Sequence, residues 1–178
     1  PELGMKEFET TALVRRELES MGIPMEPLGG PVGVLGVLRG KGAGDGKVIA
    51  LRADNLAPPR VSSADVPDRS TVPGVMHACG HDCHTAMLLG AARLLASRTE
   101  QFSGVVKFLF QPAEETLGGA RYMIEQGVLE NPKVDWILGI HGHPGFDVGE
   151  IAFRSGPSMA SSDFFTVTMT GKSGHGAY

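Results

Sequence analysis

Two near-continuous apolar runs, "GVVKFLF" at 104–110 and "VDWILGI" at 134–140, constrain the fold of this chain more than any other feature. A strand with one wet face alternates apolar and polar residues, whereas a strand apolar throughout needs cover on both faces. An α/β sheet flanked by helices meets that need. The intervening segments supply the helices. Residues 5–21, "MKEFETTALVRRELESM", have helical spacing, with Phe8, Leu13, Val14 and Leu18 on a shared face and Gly22 as the stop. "TAMLLGAARLLASR" (85–98) is a second amphipathic helix, and residues 117–127 suit a third that ends at Gly127. "VGVLGVLRG" (32–40) and "KVIALRA" (47–53) read as further strands joined by the turn-rich "GKGAGDG". Residues 55–74 are proline-rich and aperiodic, so they read as a long loop, a length uncommon unless it serves a function.

"VGEIAFRSG" (148–156) and "DFFTVTMTG" (163–171) alternate as strands should. The second follows the turn signal "SGPSMASS" and is expected to open another domain, which divides the chain into 1–157 and 158–178. A net charge of −4 over 178 residues, with no basic cluster, argues against a nucleic-acid partner. No apolar run approaches the length of a membrane-spanning helix, so no membrane partner is expected. The opening "PELGMKEFET" does not have the charged-then-apolar pattern of a leader, and that start and the close on "GHGAY" both read as cut ends. The two cysteines, four positions apart, make no disulfide framework, and reduced thiols in the cytoplasm are the expectation.

The chemistry gathers where strands end. "HACGHDCH" (77–84) holds both cysteines and three of the six histidines. Cys79 and His81, two apart in an extended segment, can point to one side as metal ligands, with Asp82 orienting an imidazole. The stretch reads equally as a polar loop with a buried thiol. A Cys79–Cys83 redox pair lacks the C-x-x-C spacing that chemistry uses. Glu114 and Glu115 follow the strand at 104–110, and His141 and His143 follow the strand at 134–140. Polar residues at strand ends of an α/β sheet can converge although they lie far apart in sequence. Adjacent carboxylates point to different sides, so one can bind metal while the other faces substrate. A metal lowers the pKa of water, and a nearby carboxylate takes its proton and returns it to a leaving group. On spacing alone His141 or His143 can be the ligand, though a lone histidine, His175 of "GKSGHGAY" included, is more often a satisfied loop residue.

Taken together, "PGVMHACGHDCHTAMLLGAA", "FLFQPAEETLGGARYMIEQGVLE", "GIHGHP" and "GPSMASSDFFTVTMTGKSGHGA" resemble the M20-type metalloamidohydrolases. The likeness is to the branch of hippurate hydrolases, N-acyl-amino-acid amidohydrolases and auxin–amino-acid conjugate hydrolases. It implies a mixed, largely parallel sheet of zinc-peptidase type, followed by the beginning of a smaller α+β lid domain that often mediates dimerisation. It implies Cys79, His81, Glu115 and His141 as metal ligands, Glu114 as general base and acid, and His175 as the lid group that steadies the oxyanion. Asp54 of "LRAD" matches an acid that supports the site. The implied cofactor is a pair of divalent ions per complete site, and the mixed S/N/O ligand set suits zinc, manganese, cobalt or nickel. The implied substrate is a small N-acyl amino acid, whose amide is hydrolysed, and the implied assembly is a homodimer.

Three departures from the family pattern stand out. Leu56 of "RADNLAPP" occupies the place of a second Asp. Cys83 stands where a glycine is usual. A final histidine ligand and the rest of the lid, which the family carries beyond this point, are expected after residue 178, so the 178 residues alone are expected to be weakly active or inactive. A non-catalytic relative that keeps the fold and part of the metal site is the competing reading.

Overall fold

The computed structural model describes residues 1–63, 65–116 and 118–177. The chain divides into two compact units, Pro1–Gly142 and His143–Tyr178. The expected boundary at 157/158 falls inside the second of these.

The first unit is built on a five-stranded mixed sheet. Its elements run α1 (Phe8–Ser20), β1 (Met25–Glu26), β2 (Val34–Arg39), β3 (Val48–Asp54), α2 (His81–Ala96), β4 (Val105–Gln111), α3 (Gly119–Glu125) and β5 (Trp136–Gly139). The strand order is β1-β2-β4-β3-β5. β3 pairs in parallel with β4 and β5, while β2 pairs antiparallel with β1 and β4. β2 and β3, consecutive in sequence, are therefore separated by β4. The glycine-rich connection between them is no hairpin turn. A Cβ at Gly40 or Gly46 would collide with the backbone of residues 102–104, which passes directly over it on its way into β4.

Period-two alternation on β4 divides the core between two faces. Val106, Phe108 and Phe110 pack with Val14 and Leu18 of α1 and with Leu88 and Ala92 of α2. Val105 and Leu109 pack on the other face with Met123 of α3 and with Val128. Each such side chain, fully buried, contributes about 1.5–3 kcal/mol of transfer free energy. Helices thus cover both faces, as the uninterrupted apolar character of 104–110 requires. Lys107 is the exception within that run. It is fully buried, and its Nζ donates to the carbonyls of Val128 and Glu130.

Several expected details differ. α1 buries Thr11, Val14 and Leu18, while Phe8 and Leu13 are exposed, because the stripe that meets the sheet is narrower than the apolar residues alone suggest. Gly22 does end it, with φ of 69° and the Ile23 N–H returning to the Leu18 carbonyl at 3.0 Å. The third helix spans Gly119–Glu125; Leu117, where it was expected to start, lies outside the described residues, as do Ala64 of the long loop and Tyr178. β5 forms as expected but is not buried. It is an edge strand that pairs, among the described residues, with β3 alone, and Trp136, Ile137 and Leu138 are exposed.

The second unit contains neither helix nor strand among its described residues. The strands expected over 148–156 and 163–171 are not formed. Alternation marks a face for burial, but a strand also needs a neighbour to bond. Val148, Phe153, Phe165 and Met169 stand in solvent.

Candidate metal centre

The site grows from the carboxyl end of β3. Asp54 is its last residue, is buried, and is ringed by donors. Its Oδ1 accepts from His84 Nδ1 at 2.6 Å, and its Oδ2 accepts from Arg52 Nη1 at 2.8 Å. Burial alone would raise its pKa, but the His84 hydrogen bond and the Arg52 charge outweigh it and hold the carboxyl below the usual aspartate range. The other His84 nitrogen, Nε2, accepts the Gly142 N–H at 2.8 Å. Both ring nitrogens of His84 are therefore engaged. A chain of contacts, Arg52–Asp54–His84–Gly142, ties β3 and α2 to the segment that bears His141.

His81 lies one turn before His84, not in an extended stretch as the spacing suggested. Gly80, with φ of 86°, turns the chain, and His81 is the first residue of α2. The left-handed conformation is one that an L side chain rarely adopts, which accounts for the glycine. Spacing of three and four then aligns His81, His84 and Thr85 on one helix face. Thr85 Oγ1 donates to the Asp54 carbonyl at 3.0 Å. His81 Nδ1–H donates to the Leu56 carbonyl at 2.7 Å, which fixes its tautomer and leaves Nε2 as the lone-pair nitrogen. Leu56 thus serves through its backbone, and its side chain is buried. Asp82, expected to orient an imidazole, is exposed on the first turn of α2; Leu56 and Asp54 orient the two histidines instead.

The Nε2 of fully buried His81 has no hydrogen-bond partner among the described residues. It lies 3.7 Å from Asp54 Oδ2 and 3.8 Å from Glu114 Oε2. Three sets of side chains bring ligand atoms within 4.8 Å of one another: Cys79/His81/His141, Asp54/His81/His84 and His81/Glu114/Glu115. His81 belongs to all three. Cys79 Sγ is 3.4 Å from His141 Nε2, whose other nitrogen donates to the Gly142 carbonyl at 2.7 Å, so that imidazole too turns its free nitrogen inward. Burial, reinforced by the charges of Glu115, Glu114 and Asp54, pushes the Cys79 thiol up.

This donor set fits a divalent cation. Two imidazoles are locked with Nε2 turned to the centre, a thiol sits beside them, and Glu114 and Glu115 add carboxylate oxygens. His84 does not fit as a ligand, because neither nitrogen is available. Five of the six residues picked from the sequence come together: Cys79, His81, Glu114, Glu115 and His141. His175 lies in the second unit, where its Nδ1 accepts the Ala177 N–H at 3.1 Å. His143 holds its own turn, accepting the Gly145 N–H at 3.0 Å. Cys83 is exposed on α2. From sequence, His84 reads as a residue that supports the ligands or packs beside them, and its bonds to Asp54 and Gly142 give it the supporting place.

A family model described as peptidase family M20/M25/M40 matches residues 55–176. The Arabidopsis thaliana protein named IAA-amino acid hydrolase ILR1-like 4 is 48% identical over 177 residues, 99% of this chain and 39% of its own length. The Bacillus subtilis N-acetylcysteine deacetylase is 47% identical over 176 residues, 98% of this chain and 45% of its own. Among solved structures, a Bacillus subtilis protein described as a dinuclear metal binding peptidase from the M20 family superimposes with a TM-score of 0.76 at 44% identity. That alignment covers 82% of this chain and 40% of the other. The chain spans less than half the length of these relatives. The mixed sheet, the family match and the level of identity agree: the chain belongs to peptidase family M20/M25/M40.

Proposed function

We propose that this chain carries the metal-binding and water-activating residues of an enzyme that hydrolyses the amide bond of small N-acyl amino acids. The observation that carries the reading is the buried, unpartnered Nε2 of His81 among a thiol, a second open imidazole and two carboxylates. The relatives named as an IAA-amino acid hydrolase and an N-acetylcysteine deacetylase support the substrate class. Cys79, His81, Glu115 and His141 would hold a pair of divalent ions, drawn from zinc, manganese, cobalt or nickel. When bound, the ions supply Lewis acidity to the amide carbonyl and to water.

The chain's own residues do the rest. Glu114 is partly exposed and beside His81, placed to take a proton from the attacking water and to deliver it to the departing amine. Asp54 and His84 keep the wall behind His81 rigid and the His141 segment in register. His175 would donate to the oxyanion as the carbonyl becomes tetrahedral. Residues 1–157 form the catalytic part, 158–178 begin a lid, and the whole protein is a cytoplasmic homodimer. No helix among the described residues is long and apolar enough to cross a membrane.

The test is turnover of N-acetyl- and N-benzoyl-amino acids by the whole protein loaded with metal, alongside Glu114→Gln. The variant is expected to keep its metal and lose about 100- to 10,000-fold in kcat. Equal turnover in the variant would remove Glu114 from its role. No turnover by the wild type on a broad panel would end the hydrolase reading.

A further inference from the structure

Glu7 is a buried acid that the reaction described above does not use. It is fully buried at the start of α1, yet its side chain makes no hydrogen bond to cap that helix. Instead its Oε1 accepts the N–H of Ala113 at 2.8 Å, across 106 residues of sequence. Its Oε2 has no partner among the described residues. Burial pushes its pKa above the usual glutamate range.

Ala113 is fully buried and adopts φ of 49°. That left-handed conformation costs a residue with a Cβ on the order of 1–2 kcal/mol. The Ala113 carbonyl accepts from Thr116 Oγ1 at 3.2 Å and from the Gly119 N–H at 3.3 Å. The strained residue therefore reverses the chain between β4 and α3, and the next two side chains are Glu114 and Glu115. The segment before Glu7 braces the opposite wall. The Glu2 carbonyl accepts the Ala57 N–H at 2.7 Å, next to Leu56, whose own carbonyl holds His81.

We propose that Glu7 is a positioning residue: its carboxyl fixes the Ala113 turn so that Glu114 and Glu115 face His81. The proposal rests on the roles given to Glu114 and Glu115 above. It acts through a backbone amide, so a neutral isostere that still accepts a hydrogen bond should serve, and an apolar or shorter side chain should not.

The experiment compares Glu7→Leu, Glu7→Asp and Glu7→Gln in the whole protein by three readouts. These are amide hydrogen exchange at Ala113 and Phe108, cobalt(II) binding by visible absorption, and kcat and KM. Glu7→Leu is expected to speed exchange at Ala113 about tenfold while Phe108 stays protected. It should weaken cobalt binding about tenfold and lower kcat with KM unchanged within about twofold. Glu7→Gln should restore all three. If Glu7→Leu fails to fold, Glu7→Asp gives the same reading, since the carboxyl is drawn back by one methylene. Unchanged exchange and cobalt affinity would overturn the proposal, as would acceleration of all amides together, which is the mark of general destabilisation. A wild-type protein that binds cobalt but cleaves no acyl-amino acid would overturn the reaction alone, with exchange and metal affinity still deciding the role of Glu7.

Discussion

The candidate centre has two halves of opposite character. Asp54, His81 and His84 are at most 3% exposed, and their side chains bond to one another, to Arg52 and to the backbone of Leu56 and Gly142, while His81 Nε2 is left without a hydrogen-bond partner among the described residues. Cys79, half-buried, and Glu115 and His141, both exposed, are carried on loops and offer ligand atoms to the centre. The difference separates support from chemistry. A buried polar group must be satisfied by the protein itself, whereas an accessible ligand can wait for its ion.

Substitutions at matched positions would break or sharpen this division. The largest effect is expected at His81, the residue shared by both halves. His81→Gln should reduce divalent-metal affinity roughly 1,000-fold, read by cobalt titration; retention of wild-type affinity would refute the convergence on Nε2. Next comes His84→Leu, which strips the buried Asp54 of a partner and frees the Gly142 N–H. It should cost about 3 kcal/mol of stability in urea unfolding of the metal-free protein, whereas a change near zero would make the buried half dispensable. Cys79→Ser sits on the other side of the division. It should weaken metal binding about tenfold while metal-free stability moves by less than ~0.5 kcal/mol. A stability loss as large as that of His84→Leu would erase the distinction.

The smallest effect is a pH dependence set at the N-terminus. Glu2 and Glu7 shift in opposite directions. Burial would raise Glu2, but the N–H groups of Glu9 and Thr10 outweigh it and hold it below the ordinary 4.5. Its contribution to stability is present above that value and is lost as pH falls through the folded pKa. Glu7 is raised by burial, so its contribution is complete below 4.5 and is lost as pH rises through its folded pKa. Urea midpoints across this range should therefore decline less on the alkaline side for Glu7→Gln and less on the acid side for Glu2→Gln. Identical profiles in both variants would show that neither group is coupled to folding.

The apolar runs at 104–110 and 134–140 revealed strands, and the polar residues just beyond them revealed Glu114, Glu115 and His141. Both signals are local, so a single sequence carries them. His81 was read as lying in an extended segment but stands on α2, because the left-handed Gly80 starts the helix four residues before the apolar period does. Glu7 was invisible for the opposite reason. It reads as one more charge on a helix, and only a contact 106 residues away gives it a purpose. The exposed aromatic residues after Phe146 show the converse limit: alternation names a face, but not the partner that would cover it.

The position of β4 has a consequence for the order in which this protein assembles. β2 and β3 leave the ribosome before β4, yet each must hold its inner edge for a strand that begins only at Val105. A hairpin between them, the cheapest early contact, would have to open before residues 105–111 could enter. The close passage of residues 102–104 over Gly40 and Gly46 then marks the seam where the later-made central strand meets the two strands it joins.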